Sequence, residues 1–200
     1  MNREEKRKDL KNRLIDAAEV SIRSAGFKVI NARQVTTEAG CALGALYNAF
    51  ENLDLLIVHV NSRTLNRLSE ALVATTLHSE NDPLARLQAL ARVYVDFACE
   101  NQKLWLALFE HRLPDGEDVP DWHKKEHRTL IQVILPPLRQ LRPDFSDEAL
   151  SLRARTDFAA VHGVVHLSLE GRFVGLPREH LHSEVAALVY SLVAGVRNTT

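Results

Sequence analysis

The chain has 200 residues, 46% of them apolar, and a formal net charge of −1. It can therefore bury a substantial core in one large or two small domains, and it is not a globally basic nucleic-acid binder. Cys41 and Cys99 lie far apart and form no C-x-x-C pair, which argues against a disulfide framework or a cysteine zinc site and fits a reducing, cytoplasmic setting. No run of about 18 apolar residues occurs, and MNREEKRKDLKNR is followed by no short apolar segment with a small-residue cleavage site. The expectation is a chain neither exported nor membrane-spanning.

Strand signals are scarce, and apolar residues recur every three or four positions between glycine and proline breaks, so the fold class expected is all-α, with about nine helices. The first helix runs from about Arg3 to Ala25, with Leu10, Leu14, Ile15, Ala18 and Ile22 on one face and Gly26 as its stop. Two short helices follow, at about residues 32 to 39 and 43 to 49, joined through Gly40, which suits a backbone turn with positive φ. A long amphipathic helix spans about 53 to 78 and ends in the loop-like cluster Ser79-Glu80-Asn81-Asp82-Pro83.

Further helices are expected at about 83 to 99, 102 to 112, 121 to 141, 147 to 174 and 178 to 197. Turn chemistry separates them: Leu113-Pro114-Asp115-Gly116, Arg142-Pro143-Asp144 and Gly175-Leu176-Pro177. Ser146 is read as an N-cap, with Asp147 and Glu148 near the positive end of the helix dipole. There is no internal repeat and no low-complexity tract.

Residues 14–56, LIDAAEVSIRSAGFKVINARQVTTEAGCALGALYNAFENLDLL, resemble the amino-terminal DNA-binding domain of the tetracycline-repressor (TetR) family over 43 residues. The resemblance is carried by the Ala17-Ala18 pair, Gly26-Phe27, Val35, Ala39-Gly40, Gly44-x-Leu46-Tyr47-x-x-Phe50 and Leu55-Leu56. The residue chemistry points the same way. Ala39, Leu46 and Phe50 are the expected small core that locks the helices, Gly40 makes the turn, and Gly44 lets the third helix approach a backbone. Farther on, RTDFAAVHGVVHLSLEGRF resembles the penultimate-helix segment of a carboxy-terminal class of this family marked by Trp and His-Gly, with Phe158 where Trp is usual and His162-Gly163 kept.

The resemblance implies residues 1–52 as a helix-turn-helix DNA-binding domain and 53–200 as a ligand-binding and dimerisation domain. A homodimer would place two recognition helices in successive major grooves of a near-palindromic operator. An unidentified small-molecule effector in the body would change DNA affinity. The DNA-contacting set it implies is Arg33, Gln34 and Thr37 on the second helix and Leu43, Gly44, Ala45, Tyr47 and Asn48 on the third, with the Tyr47 hydroxyl on a phosphate and Arg33 on a base edge. Ala42, Ala49 and Leu53 stand where Ser, His or Tyr, and Lys are common, so three phosphate contacts are missing. The basic arm can compensate: Arg3, Lys6, Arg7, Lys8, Lys11 and Arg13 are six cations against Glu4, Glu5 and Asp9, and Lys6 and Lys8 join the DNA-contacting set.

For the effector site the candidates are Tyr94, Phe97, Trp105, Phe109, Trp122, Phe158 and His162, each on an apolar face of an expected body helix; ordinary core packing is the competing reading. For the dimer interface they are Val165, Leu169, Val185, Leu188, Val189, Leu192 and Val196, on two helices able to form a four-helix bundle with a second copy. The i, i+4 pairs His123/His127 and His162/His166 lack a third metal ligand, and only one Glu-x-x-His unit, Glu179 with His182, is present, so no metal or cofactor is expected. Without Gly-x-Ser-x-Gly or a sheet, an enzyme of the serine-hydrolase type is not expected either. The alternative is a helical ligand-binding or adaptor protein of the same fold with weak or lost DNA binding.

Overall fold

The computed structural model describes residues 2–77, 82–114 and 117–197, except for the side chains of Leu77 and residues 195–197. The Ser79-Glu80-Asn81 and Asp115-Gly116 stretches, read as loop and turn, and the Val196 side chain lie outside the described residues. Ten α-helices and one 3-10 turn make up the described secondary structure: α1 Arg3–Ala25, α2 Ala32–Glu38, α3 Leu43–Ala49, α4 Leu53–Leu77, α5 Pro83–Glu100, α6 Gln102–Glu110, α7 Asp121–Gln132, α8 Leu135–Leu141, α9 Asp147–Leu169 and α10 Arg178–Arg197, with the 3-10 turn at Phe27–Val29. No strand occurs among the described residues, as the all-α reading requires.

The segment read as one helix over 121 to 141 is two. Pro136 and Pro137 have no N–H to donate, so an unbroken ladder is impossible; the chain turns at Val133 and Ile134, and α8 restarts with the prolines in its first turn, where missing donors cost little. The helix read to residue 174 ends at Leu169 instead. Gly171 takes φ +65°, the Arg172 N–H bonds back to the Leu167 carbonyl, and the Ser168 hydroxyl accepts the Leu176 N–H at 2.9 Å, so the last turn is capped and the chain leaves the helix.

The chain forms two compact units, residues 1–66 with 101–126 and residues 67–100 with 127–200. The first is built on one apolar cluster: Leu14, Ala18 and Ile22 of α1, Val35 of α2, Leu46 of α3 with Phe50 at its end, Leu56 and Val60 of α4, and Leu104 and Ala107 of α6. Short helices such as α2 and α3, seven residues each, are not stable alone; burial of one face against α1 and α4 holds them. Caps mark their limits. The Asn2 side chain and Glu5 form a capping box at the start of α1, Asn31 accepts the Gln34 N–H at 2.9 Å to start α2, and Asn52 accepts the Leu55 N–H at 2.7 Å to start α4.

In the second unit α10 packs on α5 and α9, and α5 also meets α8 and α9. Ser146 caps α9 by accepting the Ala149 N–H at 3.2 Å, which is the cap its sequence indicates. Leu138, Leu150 and Ala154 close a smaller apolar cluster between α8 and α9, with Phe145 against it.

Candidate nucleic-acid interface and apolar cavity

On the first unit the α2–turn–α3 segment divides cleanly. Val35, Ala39, Leu46 and Phe50 are buried, while Arg33, Gln34, Thr37, Leu43, Gly44, Tyr47 and Asn48 are exposed and Ala45 is half-buried. Gly40, at φ +63°, makes the turn between the helices. Tyr47 is 52% exposed, so its ring is not part of the core. The Thr37 hydroxyl donates to the Arg33 carbonyl at 2.9 Å, leaving it able only to accept from a partner.

The turn is held from outside by a residue whose role the sequence does not announce. Arg13 Nη1 donates to the Ala39 carbonyl at 2.7 Å, and its Nε pairs with Asp9 at 3.1 Å. Lys11 stands over the Phe50 ring, 5.4 Å from its centre. Two of the six arm cations are thus engaged within the unit, while Arg3, Lys6, Arg7 and Lys8 are exposed along the first turns of α1. Ala42, the N-cap of α3, makes no side-chain cap bond.

The second unit contains an apolar cavity between the end of α4, α5, α7, α9 and α10, lined by Leu72, Leu90, Tyr94, Phe158, Val161 and Val193 among others. The cavity holds about 60 Å³, within about 590 Å³ between its walls when open solvent is included. Ligand pockets commonly reach several hundred Å³. A ligand of more than a few atoms therefore has to part these helices to enter.

Of the seven aromatic and histidine candidates, the cavity brings together Tyr94 and Phe158, whose rings meet edge to face with centroids 5.5 Å apart. His162 is bound to this pair: its Nδ1 lies 2.7 Å from the Tyr94 hydroxyl and its ring stacks on Phe158. Burial, and after it the neighbouring His166, lowers the His162 pKa to about 4, so the ring is neutral at neutral pH. Phe97 is buried on α5 away from the lining. Trp105, Phe109 and Trp122 belong to the first unit: Trp105 is fully buried beside Phe109, and Trp122 stacks on His59 with centroids 4.9 Å apart.

The lining also contains a residue that the sequence reading did not single out. Asp157 sits among the apolar side chains, with an Oδ1 that is buried and has no hydrogen-bond partner. Burial raises its carboxyl from 3.8 to about 6, and Arg153 offsets part of that rise. The available signal was an acid at a position where the apolar stripe of α9 continues through Phe158 and Val161.

The candidate interface residues Val165, Leu169, Val185 and Val189 are buried within the second unit, Leu188 and Leu192 are half-buried, and Leu192 and Val189 line the cavity. The outward sides of the same helices carry Leu152 and Leu167 on α9 and Tyr190 on α10 as exposed apolar side chains.

Residues 87–192 match the family model described as the tetracyclin repressor-like carboxy-terminal domain. Among solved structures, a protein of unknown function from Rhodococcus sp. RHA1 is 22% identical with a TM-score of 0.72, covering 93% of this chain and 94% of its own. A TetR transcriptional regulator from the same organism is 19% identical with a TM-score of 0.67 over 98% and 100% of the two chains. Thermus thermophilus FadR, a TetR-family transcriptional repressor in complex with lauroyl-CoA, is 20% identical with a TM-score of 0.66 over 92% and 94%. No curated protein sequence matches the chain.

Proposed function

The chain belongs to the tetracyclin repressor-like family, and from that premise we propose that it is a homodimeric repressor whose affinity for a near-palindromic operator is set by a small molecule bound in the cavity of its second unit. The family and fold are those of transcriptional regulators, and the proposal includes that the chain is not an enzyme and acts in the cytoplasm. No described helix is long and apolar enough to cross a membrane. The observation that carries the reading is the division of the α2–turn–α3 segment: Val35, Ala39, Leu46 and Phe50 are buried, and Arg33, Gln34, Thr37, Leu43, Gly44, Tyr47 and Asn48 all face outward.

In this reading α3 enters the major groove, with Leu43, Gly44 and Ala45 bringing its backbone close to the DNA and Asn48 at a base edge. Tyr47 donates to a phosphate, Arg33 bonds a guanine edge, and exposed Lys6 and Lys8 of the arm supply phosphate neutralisation. Residues 1–52 carry DNA binding and 53–200 the effector site and dimerisation, although residues 53–66 and 101–126 pack in one compact unit with the first three helices. Two copies associate through α9 and α10, whose outward Leu152, Leu167 and Tyr190 supply apolar surface for a four-helix bundle. The lauroyl-CoA complex of the Thermus protein supports a small-molecule effector in this fold. Because the cavity is small, a ligand that enters parts the helices around it, and that displacement is the means by which it changes the spacing of the recognition helices.

Two features favour a second reading, an adaptor of the same fold that has lost DNA affinity: Ala42 leaves α3 without a side-chain cap bond, and Leu53 stands where the resembling family commonly has a Lys. Binding of purified protein to genomic fragments across a salt series separates the two. The repressor reading expects a specific band that weakens linearly in log salt. Tyr47→Phe weakens all sites by a similar factor, whereas Arg33→Ala relaxes base preference, with about 1–3 kcal/mol of discrimination lost at one position. A complete absence of salt-dependent bands leaves the adaptor; an unchanged preference in Arg33→Ala removes the role assigned to Arg33.

A further inference from the structure

Asp157 is the one charged residue among the described lining of the cavity. Its side chain is 16% exposed, and Arg153 Nη1, one turn earlier on α9, stands 3.9 Å from its Oδ1, beyond hydrogen-bond reach. That Oδ1 is buried without a hydrogen-bond partner. The other polar residue of the lining, Tyr94, has its hydroxyl at His162 Nδ1, 2.7 Å away. The cavity lining thus combines aliphatic and aromatic walls with one carboxylate, whose Oδ1 has a long ion pair to Arg153 and no hydrogen bond.

A carboxylate buried in this way is costly unless a donor or a cation meets it. With its carboxyl raised only to about 6, the group is still mostly ionised at neutral pH, and the Arg153 guanidinium 3.9 Å away compensates its charge only in part. A carboxylate or phosphate placed there meets like charge, and an alcohol supplies one hydrogen bond but no opposite charge. An ammonium group supplies both a donor and the opposite charge. We infer that the cavity takes an apolar molecule bearing a protonated amine, with the Asp157 carboxylate as its anchor and the aliphatic walls around its hydrocarbon part. This assignment rests on the reading of the cavity as the effector site.

Titration calorimetry of the full-length protein at about pH 7.5, where both Asp157 and an alkylamine are ionised, provides the test, with octylamine, 1-octanol and octanoate as probes of equal chain length. Octylamine is expected to bind about tenfold or more tighter than 1-octanol, and octanoate weakest. Asp157→Asn lowers octylamine affinity to or below that of 1-octanol, and Asp157→Glu retains a preference for the amine. Circular dichroism confirms that both variants fold. Equal binding of octylamine and 1-octanol, tighter binding of octanoate, retained amine preference in Asp157→Asn, or no binding by any probe overturns the inference.

Band shifts on the retained genomic fragments, with each probe present, keep the two readings apart. Amine-selective, Asp157-dependent binding with no change in DNA affinity sustains the amine site and removes its effector role. A change in DNA affinity caused by octanoate and not by octylamine sustains an effector site and removes the amine.

Discussion

Replacing Leu46 with alanine is expected to destabilise the first compact unit by about 2–5 kcal/mol and to abolish specific bands in DNA-binding assays. Leu46 is 0% exposed and sits where α1, α2 and α4 meet α3, among Leu14, Ile22, Val35 and Leu56. Its loss removes buried methyl groups and leaves a void that three separate helices would have to move to fill. The turn geometry limits such movement: Gly40 fixes the direction of the chain at φ +63° and Arg13 ties the Ala39 carbonyl to α1. Leu43→Ala is the control on the same helix, because Leu43 is outward and 39% exposed. It should leave the unfolding midpoint within about 0.5 kcal/mol of the parent and alter only DNA affinity. Denaturant unfolding followed by far-ultraviolet circular dichroism reads the difference; a parental midpoint in Leu46→Ala would show that the α3 core is not what holds the reading face.

The parts of this molecule that local chemistry specifies were legible in the sequence. The limits of α1 and α3 follow from Gly26, the Gly40 turn and the 3.6-residue periodicity, and Ser146 is the cap of α9 that its neighbours indicate. The split between α7 and α8 was hidden because Pro136-Pro137 falls within a run of apolar residues with helical spacing, and the proline pair acts on the turn before it. The end of α9 at Leu169, before Gly171, is hidden in a similar way: the apolar Phe173 and Val174 extend the helical pattern in sequence but lie outside the helix, and Phe173 is fully solvent-exposed.

Partners across long sequence separations were harder to read. The Arg13 link to the Ala39 carbonyl spans 26 residues, and in sequence Arg13 is one more arm cation. Periodicity on α9 and α10 identifies an apolar stripe but not what covers it, and Val165, Val185 and Val189 are covered by the second unit's own helices. The sequence does not mark Asp157, because burial of an acid is a property of its neighbours on α5 and α10, and one helical stretch does not contain it.

The same carboxylate should make the stability of the second unit depend on pH in opposition to His162. The His162 pKa falls from 6.5 to about 4 on folding, so the unfolded chain takes up the proton first, and the stability held above about pH 6.5 is lost as pH falls toward 4. Asp157 has the reverse sign. Its carboxyl rises from 3.8 to about 6, so folding is penalised above about pH 6, and the penalty disappears as pH falls toward 3.8. Each change amounts to about 3 kcal/mol at most, and between about pH 4 and 6.5 the two largely cancel. Asp157→Asn removes the penalty alone: its unfolding midpoint is expected to exceed the parent's by several degrees at about pH 8, and the difference to vanish near pH 4, leaving a variant more acid-sensitive than the parent. His162→Asn, which keeps a hydrogen-bonding group near the Tyr94 hydroxyl, should show the opposite slope and gain stability on acidification over the same range. Thermal midpoints of the three proteins across this range decide the matter. An Asp157→Asn difference of the same size at pH 4 and pH 8 would mean that packing, and not the buried charge, distinguishes the variant from the parent.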